Sequence, residues 1–116
     1  MKYNIFVYET EQDFAARTDP QKQADYWAAY SAYTQALEEA GVMAGGAALQ
    51  PPGTATSVRL LEGKRHVEDG PLTEAKEHLG GYYTIDVDNL DDALAWAAKC
   101  PSAATGGVEV RPLMEM

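Results

Sequence analysis

Leu79-Gly80-Gly81-Tyr82-Tyr83-Thr84-Ile85-Asp86-Val87, running on into Asn89-Leu90-Asp91-Asp92-Ala93-Leu94, decides how this chain folds. The first nine residues are rich in aromatic and β-branched types and predict a central strand. The glycine pair at its start permits a bulge or a close backbone approach. Asn89 then reads as a helix N-cap with Asp92 three residues on, and Asp91 and Asp92 suit the positive end of the helix dipole. A helix is predicted over Leu90–Lys99, with Leu90, Ala93, Leu94 and Ala97 as its narrow apolar face and Pro101 as its stop. Gly107–Pro112 completes a strand–helix–strand unit, with Val108 and Val110 inward and Glu109 and Arg111 outward.

The N-terminal half repeats that plan. Residues 2–8, Lys-Tyr-Asn-Ile-Phe-Val-Tyr, predict a strand, and Glu9 to Pro20 a polar connection with one helical turn near Phe14. A long helix is expected from about Pro20 to Ala40, with Asp19 as N-cap, Pro20 at the first helical position and Gly41 as the stop. Tyr26, Tyr30, Tyr33 and Leu37 share one face of it. Val42–Leu49 is a thin strand, ended by Gln50-Pro51-Pro52-Gly53 because proline supplies no N–H to a ladder. Between the two units lies a hairpin, Thr56–Leu61 and Lys64–Asp69, turning at Glu62-Gly63. That turn places Thr56 opposite Asp69 and Arg59 opposite His66, so Thr56, Val58, Val67 and Asp69 share one face. Leu72–His78 reads as a short polar connection or a helical turn. The order of elements is that of a ferredoxin-like α+β fold with an inserted β-hairpin.

Composition bounds what such a domain can do. The chain has 116 residues, 9 Lys and Arg against 18 Asp and Glu, and a net charge of −9. That length fits one domain. The acidic balance argues against a nucleic-acid partner, whose phosphates require clustered cations. No apolar run approaches the length of a membrane span, and the opening residues lack the basic region and cleavage site of a secretion signal, so no membrane is expected as a partner. The single cysteine, Cys100, has no internal partner, which fits a reducing cytoplasm. There is no GxGxxG, Walker loop, GxSxG or CxxC, and no cofactor is expected.

The segments Leu49–Thr56, Asp69-Gly70-Pro71-Leu72 and Glu74-Ala75-Lys76-Glu77-His78-Leu79-Gly80-Gly81-Tyr82-Tyr83 resemble the DGPF-domain branch of the YCII-related proteins. Lys2–Tyr8 and Val108–Pro112 fit the same pattern, so the resemblance covers nearly the whole chain. It implies a ferredoxin-like fold that pairs as a homodimer in the manner of dimeric α+β barrels. Some members of that branch are encoded beside sigma factors, which implies a link to regulation. Two departures stand out. Leu72 replaces the phenylalanine of the namesake motif. The other YCII branch is associated with a helix histidine, an aspartate near the carboxyl end and dehydrohalogenase-type chemistry. Here the first helix has no histidine and Cys100-Pro101 stands where Asp-Pro would be, so that reaction does not transfer.

Asp69, Glu74, Lys76 and Glu77 form the densest polar cluster. Two carboxylates beside an ammonium suit a general base and an anion clamp if burial brings their pKa values toward neutrality, while a solvated acidic loop has the same composition. Asp69, Glu74 and Lys76 are therefore the candidate catalytic residues. Gln50, Thr54, Thr56, Gly70 and Pro71 are candidate ligand contacts around a rigid Pro-Pro wall, or else parts of a connector that aims the hairpin. The tyrosine stripe suits core or dimer packing. Tyr30 is also a candidate ligand contact through its phenol. His66 is expected at the surface, His78 lacks a second ligand at metal spacing, and Cys100 lacks the positive environment of a reactive thiolate. A small polar pocket is expected between the sheet and the long helix. Two functions fit it: proton transfer on a small acid or carbonyl compound, or non-catalytic ligand binding in a regulatory dimer.

Overall fold

A computed structural model describes residues 1–116. Strand β1 (Lys2–Thr10) alternates strictly, with Tyr3, Ile5, Val7 and Glu9 buried and the residues between them facing the other way. It leads into a short helix α1 (Glu11–Ala16), the long helix α2 (Gln23–Glu39) and strand β2 (Met43–Ala48). The hairpin β3 (Thr56–Leu61) and β4 (Lys64–Asp69) follows, then β5 (Glu77–Asp86), α3 (Leu90–Ala98) and β6 (Gly107–Pro112).

The main sheet is antiparallel in the order β2-β5-β1-β6, and the hairpin forms a separate two-stranded ribbon. Each helical crossover joins two parallel strands with one strand left between them, which is the split arrangement of a ferredoxin-like fold. The helices cover one face of the sheet. Tyr3, Ile5, Val7 and Ile85 meet Tyr33 and Leu37 of α2 and Ala93 and Ala97 of α3 there, and Cys100 closes the cluster. No helix is long and apolar enough to cross a membrane.

Local signals explain most boundaries. The Gly41 N–H donates to Glu38 O and the Val42 N–H to Leu37 O, a Schellman closure that needs the left-handed Gly41 (φ 73°). At α3 the Asn89 side chain accepts from the Asp92 N–H at 2.9 Å. The hairpin has the expected register throughout, Thr56 opposite Asp69 and Arg59 opposite His66. Val108 and Val110 of β6 pair with Val7 and Ile5 on the helix side of the sheet.

Three expectations are corrected. The segment Glu9–Pro20 does contain the expected helical turn around Phe14, as α1, but β1 continues through Thr10, and Thr10 and Asp13 form a reciprocal capping box that starts the helix. The long helix begins at Gln23 rather than Pro20. Asp19 Oδ1 accepts from the Gln21 N–H at 2.8 Å, and that turn uses up Asp19-Pro20 before the helix starts. The buried face of α3 is Ala93 and Ala97 with Trp96 beside them, whereas Leu90, in the first turn, and Leu94, about 100° round the helix from Ala93, are exposed.

Candidate functional site

Glu9 is the next inward position after Tyr3, Ile5 and Val7, so the pleat drives a carboxylate into the protein at the end of the apolar row. It is 1% exposed. A buried carboxylate needs a partner charge and filled lone pairs, and the chain supplies both from two elements. Arg17, just past α1, donates from Nη2 to Glu9 Oε1 at 2.5 Å. The Tyr26 and Tyr30 hydroxyls, one helical turn apart on α2, reach Glu9 Oε2 at 2.5 and 3.3 Å. Arg17 also donates from Nε to the Tyr26 hydroxyl at 3.0 Å, from Nη2 to Gly80 O at 3.1 Å, and from Nη1 to Leu49 O. The guanidinium thus ties the end of α1 to β1, α2 and β5, and to Leu49 just past β2. No buried side-chain nitrogen or oxygen is left without a partner.

The glycine pair of β5 makes room for this cluster. Val7 pairs with Gly81 and Tyr8 with Leu79, which leaves Gly80 as an unpaired bulge. A Cβ on Gly80 would lie 2.3 Å from Glu9 Oε1, and one on Gly81 would lie 2.7 Å from Ala47 O. Both uses foreseen for the pair, a bulge and a close approach, are realised at adjacent residues.

Beside the cluster opens a cavity of about 640 Å³ between α2 and the β2–β5 edge of the sheet. Its size is that of a small-molecule site. Glu9, Arg17 and Tyr30 line its polar end, while Trp27, Met43 and Tyr83 supply apolar and aromatic wall. Opposite them the short residues Gly46, Ala47 and Ala48 present almost bare backbone, a surface on which a flat molecule could rest. Ser31, Thr34 and Gln35 add neutral hydrogen-bonding groups, and Glu38 adds a further acid. Arg17 is the only cation in the lining, and its charge is already committed to Glu9.

Burial sets the protonation of the phenols. Desolvation, followed by the nearby Glu9, pushes the Tyr26 and Tyr30 hydroxyls well above the ordinary range. Desolvation raises Tyr33 and Tyr83 as well. For Arg17 burial works in the opposite direction, but the hydrogen bonds to Glu9 and Tyr26 outweigh it and the net shift is upward. Tyr30 is therefore a neutral donor at physiological pH, beside a carboxylate held by a guanidinium. These shifts predict an alkaline limit. Unfolded tyrosines lose their proton near pH 10 while these four retain it, so the folded state binds more protons there and stability falls as pH rises above about 10. In a titration followed at 295 nm, four of the seven tyrosines should ionise only as the circular dichroism signal of the fold is lost.

The residues singled out in the sequence are placed differently. Of the candidate ligand contacts only Tyr30 lines this cavity. Asp69, Glu74 and Lys76 are exposed, and none of them enters an ion pair. The burial that would bring the Asp69 carboxylate toward neutrality is not supplied by the single chain, where both faces of the hairpin are open. Thr56 shares that exposure. Gly70 donates to Ala55 O and its carbonyl accepts from Ser57, so it closes the base of the hairpin, with Pro71 exposed beyond it. Thr54 bonds back to Pro51 O at 2.7 Å, and Gln50 is exposed. Pro51, Pro52, Lys76, Glu77 and His78 line a second cavity of about 800 Å³ next to α1, which neither Asp69 nor Glu74 reaches and whose charged residues are all exposed. No group of three or more His, Cys, Asp or Glu side chains converges. Cys100 is buried, and desolvation raises its thiol above the usual value.

Residues 1–116 match the YCII-related domain from end to end, and the chain belongs to that family. It is 36% identical over 118 residues to an uncharacterized protein of Rhizobium meliloti (strain 1021), covering 97% of this chain and 92% of that one. The 5-chloro-2-hydroxyhydroquinone dehydrochlorinase from Burkholderia phenoliruptrix AC1100, solved in complex with 2,5-dihydroxybenzoquinone, has the same fold. The superposition covers 100% of this chain and 96% of that one, with a TM-score of 0.59 and 16% identity. At that identity the likeness speaks to the fold.

Proposed function

We propose that this protein binds a small, flat, oxygenated molecule in the cavity between α2 and the β2–β5 edge and moves a proton on it. One observation carries this: a fully buried carboxylate, Glu9, lines a cavity together with a neutral phenol, Tyr30. Tyr30 would donate to a carbonyl or hydroxyl oxygen of the ligand, and Glu9 would take up the proton that the ligand releases, in the manner of general acid–base catalysis. The lining offers no uncommitted cation and includes Glu38, which favours an uncharged carbonyl or hydroxyl compound over an acid. The dehydrochlorinase with this fold, whose ligand is a dihydroxybenzoquinone, supports a ligand of that kind. The protein acts as a homodimer, as its resemblance to dimeric α+β barrels implies, within a cell's cytoplasm, in keeping with its single cysteine.

A second function is favoured by the saturation of Glu9. Three donors already meet its two oxygens, which suits a rigid binding module that performs no reaction. Thermal-shift screening against quinones, hydroxylated rings and small carbonyl compounds tests both. A ligand at about 100 times its Kd should stabilise the fold by about 2.7 kcal/mol. That stabilisation should be reduced in Tyr30→Phe and retained in Asp69→Asn. Retention in Tyr30→Phe with loss in Asp69→Asn would move the site to the hairpin base. A hit that Glu9→Gln binds unchanged, with no turnover by either form, would establish the binding module.

A further inference from the structure

We propose that the β3–β4 hairpin is an exchanged arm: its apolar face docks on the helix-free face of the sheet in a second copy of this chain, whose own arm returns the contact. This deepens the homodimer stated above by naming its interface. An isolated two-stranded hairpin is marginal in water, and stability requires a surface to pack on. Here Val58, Leu60 and Val67 occupy one face and are 56%, 72% and 52% exposed. The hydrogen bonds of the hairpin run between its own strands and to the residues at its base, Ala55 and Gly70.

Size supports a missing partner. The radius of gyration is 15.9 Å, whereas a compact chain of this length would have about 13 Å. The accessible surface is 7958 Å², while a folded monomer of this mass exposes about 6,200 Å². The excess, about 1,800 Å², exceeds the roughly 800 Å² per partner that a stable interface covers.

The same chain carries the complementary surface. Phe6 and Tyr8 of β1 face away from the helices, and Phe6 pairs with Tyr82 and Tyr8 with Leu79 across the strand boundary. These four form an apolar strip with no helix over it. A twofold axis covers both unmet faces at once, because each copy gives an arm and receives one. Charge agrees. Arg59, Lys64 and Arg65 of the arm are three of the chain's nine cations, and Glu62, Glu68 and Asp69 are three of its eighteen acids. The remaining body therefore has six cations against fifteen acids. The basic end of each arm meets an acidic body in the other copy.

The mass in solution, by sedimentation velocity or light scattering, tests this on the full chain. Wild type is expected at twice 12.6 kDa. Leu60→Asp and Val67→Asp should weaken self-association at least tenfold and leave the far-ultraviolet spectrum intact. Leu94→Asp, also an exposed apolar residue but on α3, should stay dimeric. Mixing Phe6→Cys with Leu60→Cys should give an inter-chain disulfide under oxidation, since native Cys100 is buried. A monomeric wild type overturns both the homodimer and the arm. A dimer that survives both arm substitutions overturns the arm alone. Dissociation by the arm substitutions without the Phe6–Leu60 cross-link overturns the sheet face as its receptor.

Discussion

Arg17→Met should destabilise the fold by about 3–5 kcal/mol, because it leaves the Glu9 carboxylate buried without a counter-charge. The size follows from burial on both sides of the pair, 9% exposure for the Arg17 side chain and 1% for Glu9. The same substitution removes the donors to Gly80 O, Leu49 O and the Tyr26 hydroxyl. Tm should fall by about 12–20 °C in a domain of this size. Adding Glu9→Gln to Arg17→Met removes the stranded charge, so the double variant should be more stable than the sum of the two singles predicts, by about 1–3 kcal/mol. A loss below about 1 kcal/mol in Arg17→Met would place the pair among the weak surface type and remove its role as the tie between four elements.

Gly80→Ala should cost about 1–3 kcal/mol through overpacking alone. Its backbone is outside the left-handed region, so alanine brings no conformational strain. The collision is with Glu9 Oε1 at 2.3 Å and Arg17 Nη2 at 3.1 Å. A free side-chain end could rotate away, but this carboxylate is pinned by three donors and moves only by giving up at least one of them. Gly80→Ala should therefore also weaken any ligand of the α2 cavity, since Glu9 and Gly80 both line it. Gly107→Ala, where an added Cβ meets nothing within 4 Å, is the matched control and should lie within about 0.5 kcal/mol of wild type. Equal behaviour of the two variants would show that the bulge does not hold the carboxylate in place.

Much of the fold was legible in the residues because local rules determine it. A β-branched and aromatic run, a glycine that can take positive φ, an asparagine before an apolar stretch and a two-residue turn each act within a few positions. The hairpin register, the Gly41 stop, the Asn89 cap and the inward valines of β6 all followed from such rules. The order of those elements was enough for the ferredoxin-like plan. Glu9 was within reach too: continuing the alternation of Tyr3, Ile5 and Val7 by one step puts a carboxylate inside. Its charged type instead suggested the end of the strand, because an acid is placed indoors only when a partner awaits it.

That partner is what tertiary structure alone decided. Arg17 is eight residues beyond Glu9, Tyr26 and Tyr30 are on another helix, and Gly80 is more than sixty residues away. No local pattern links them, and their meeting depends on how α1, α2 and β5 converge on one strand end. Asp69, Glu74 and Lys76 illustrate the opposite case, a cluster dense in sequence that the single chain leaves in solvent. Proximity along the chain brings charges near one another, but only packing removes water from them. The sequence by itself determined which segments are strands and helices and how they are ordered. The three-dimensional packing decided which carboxylate is buried, because desolvation is a property of the assembled layers and not of any segment within them.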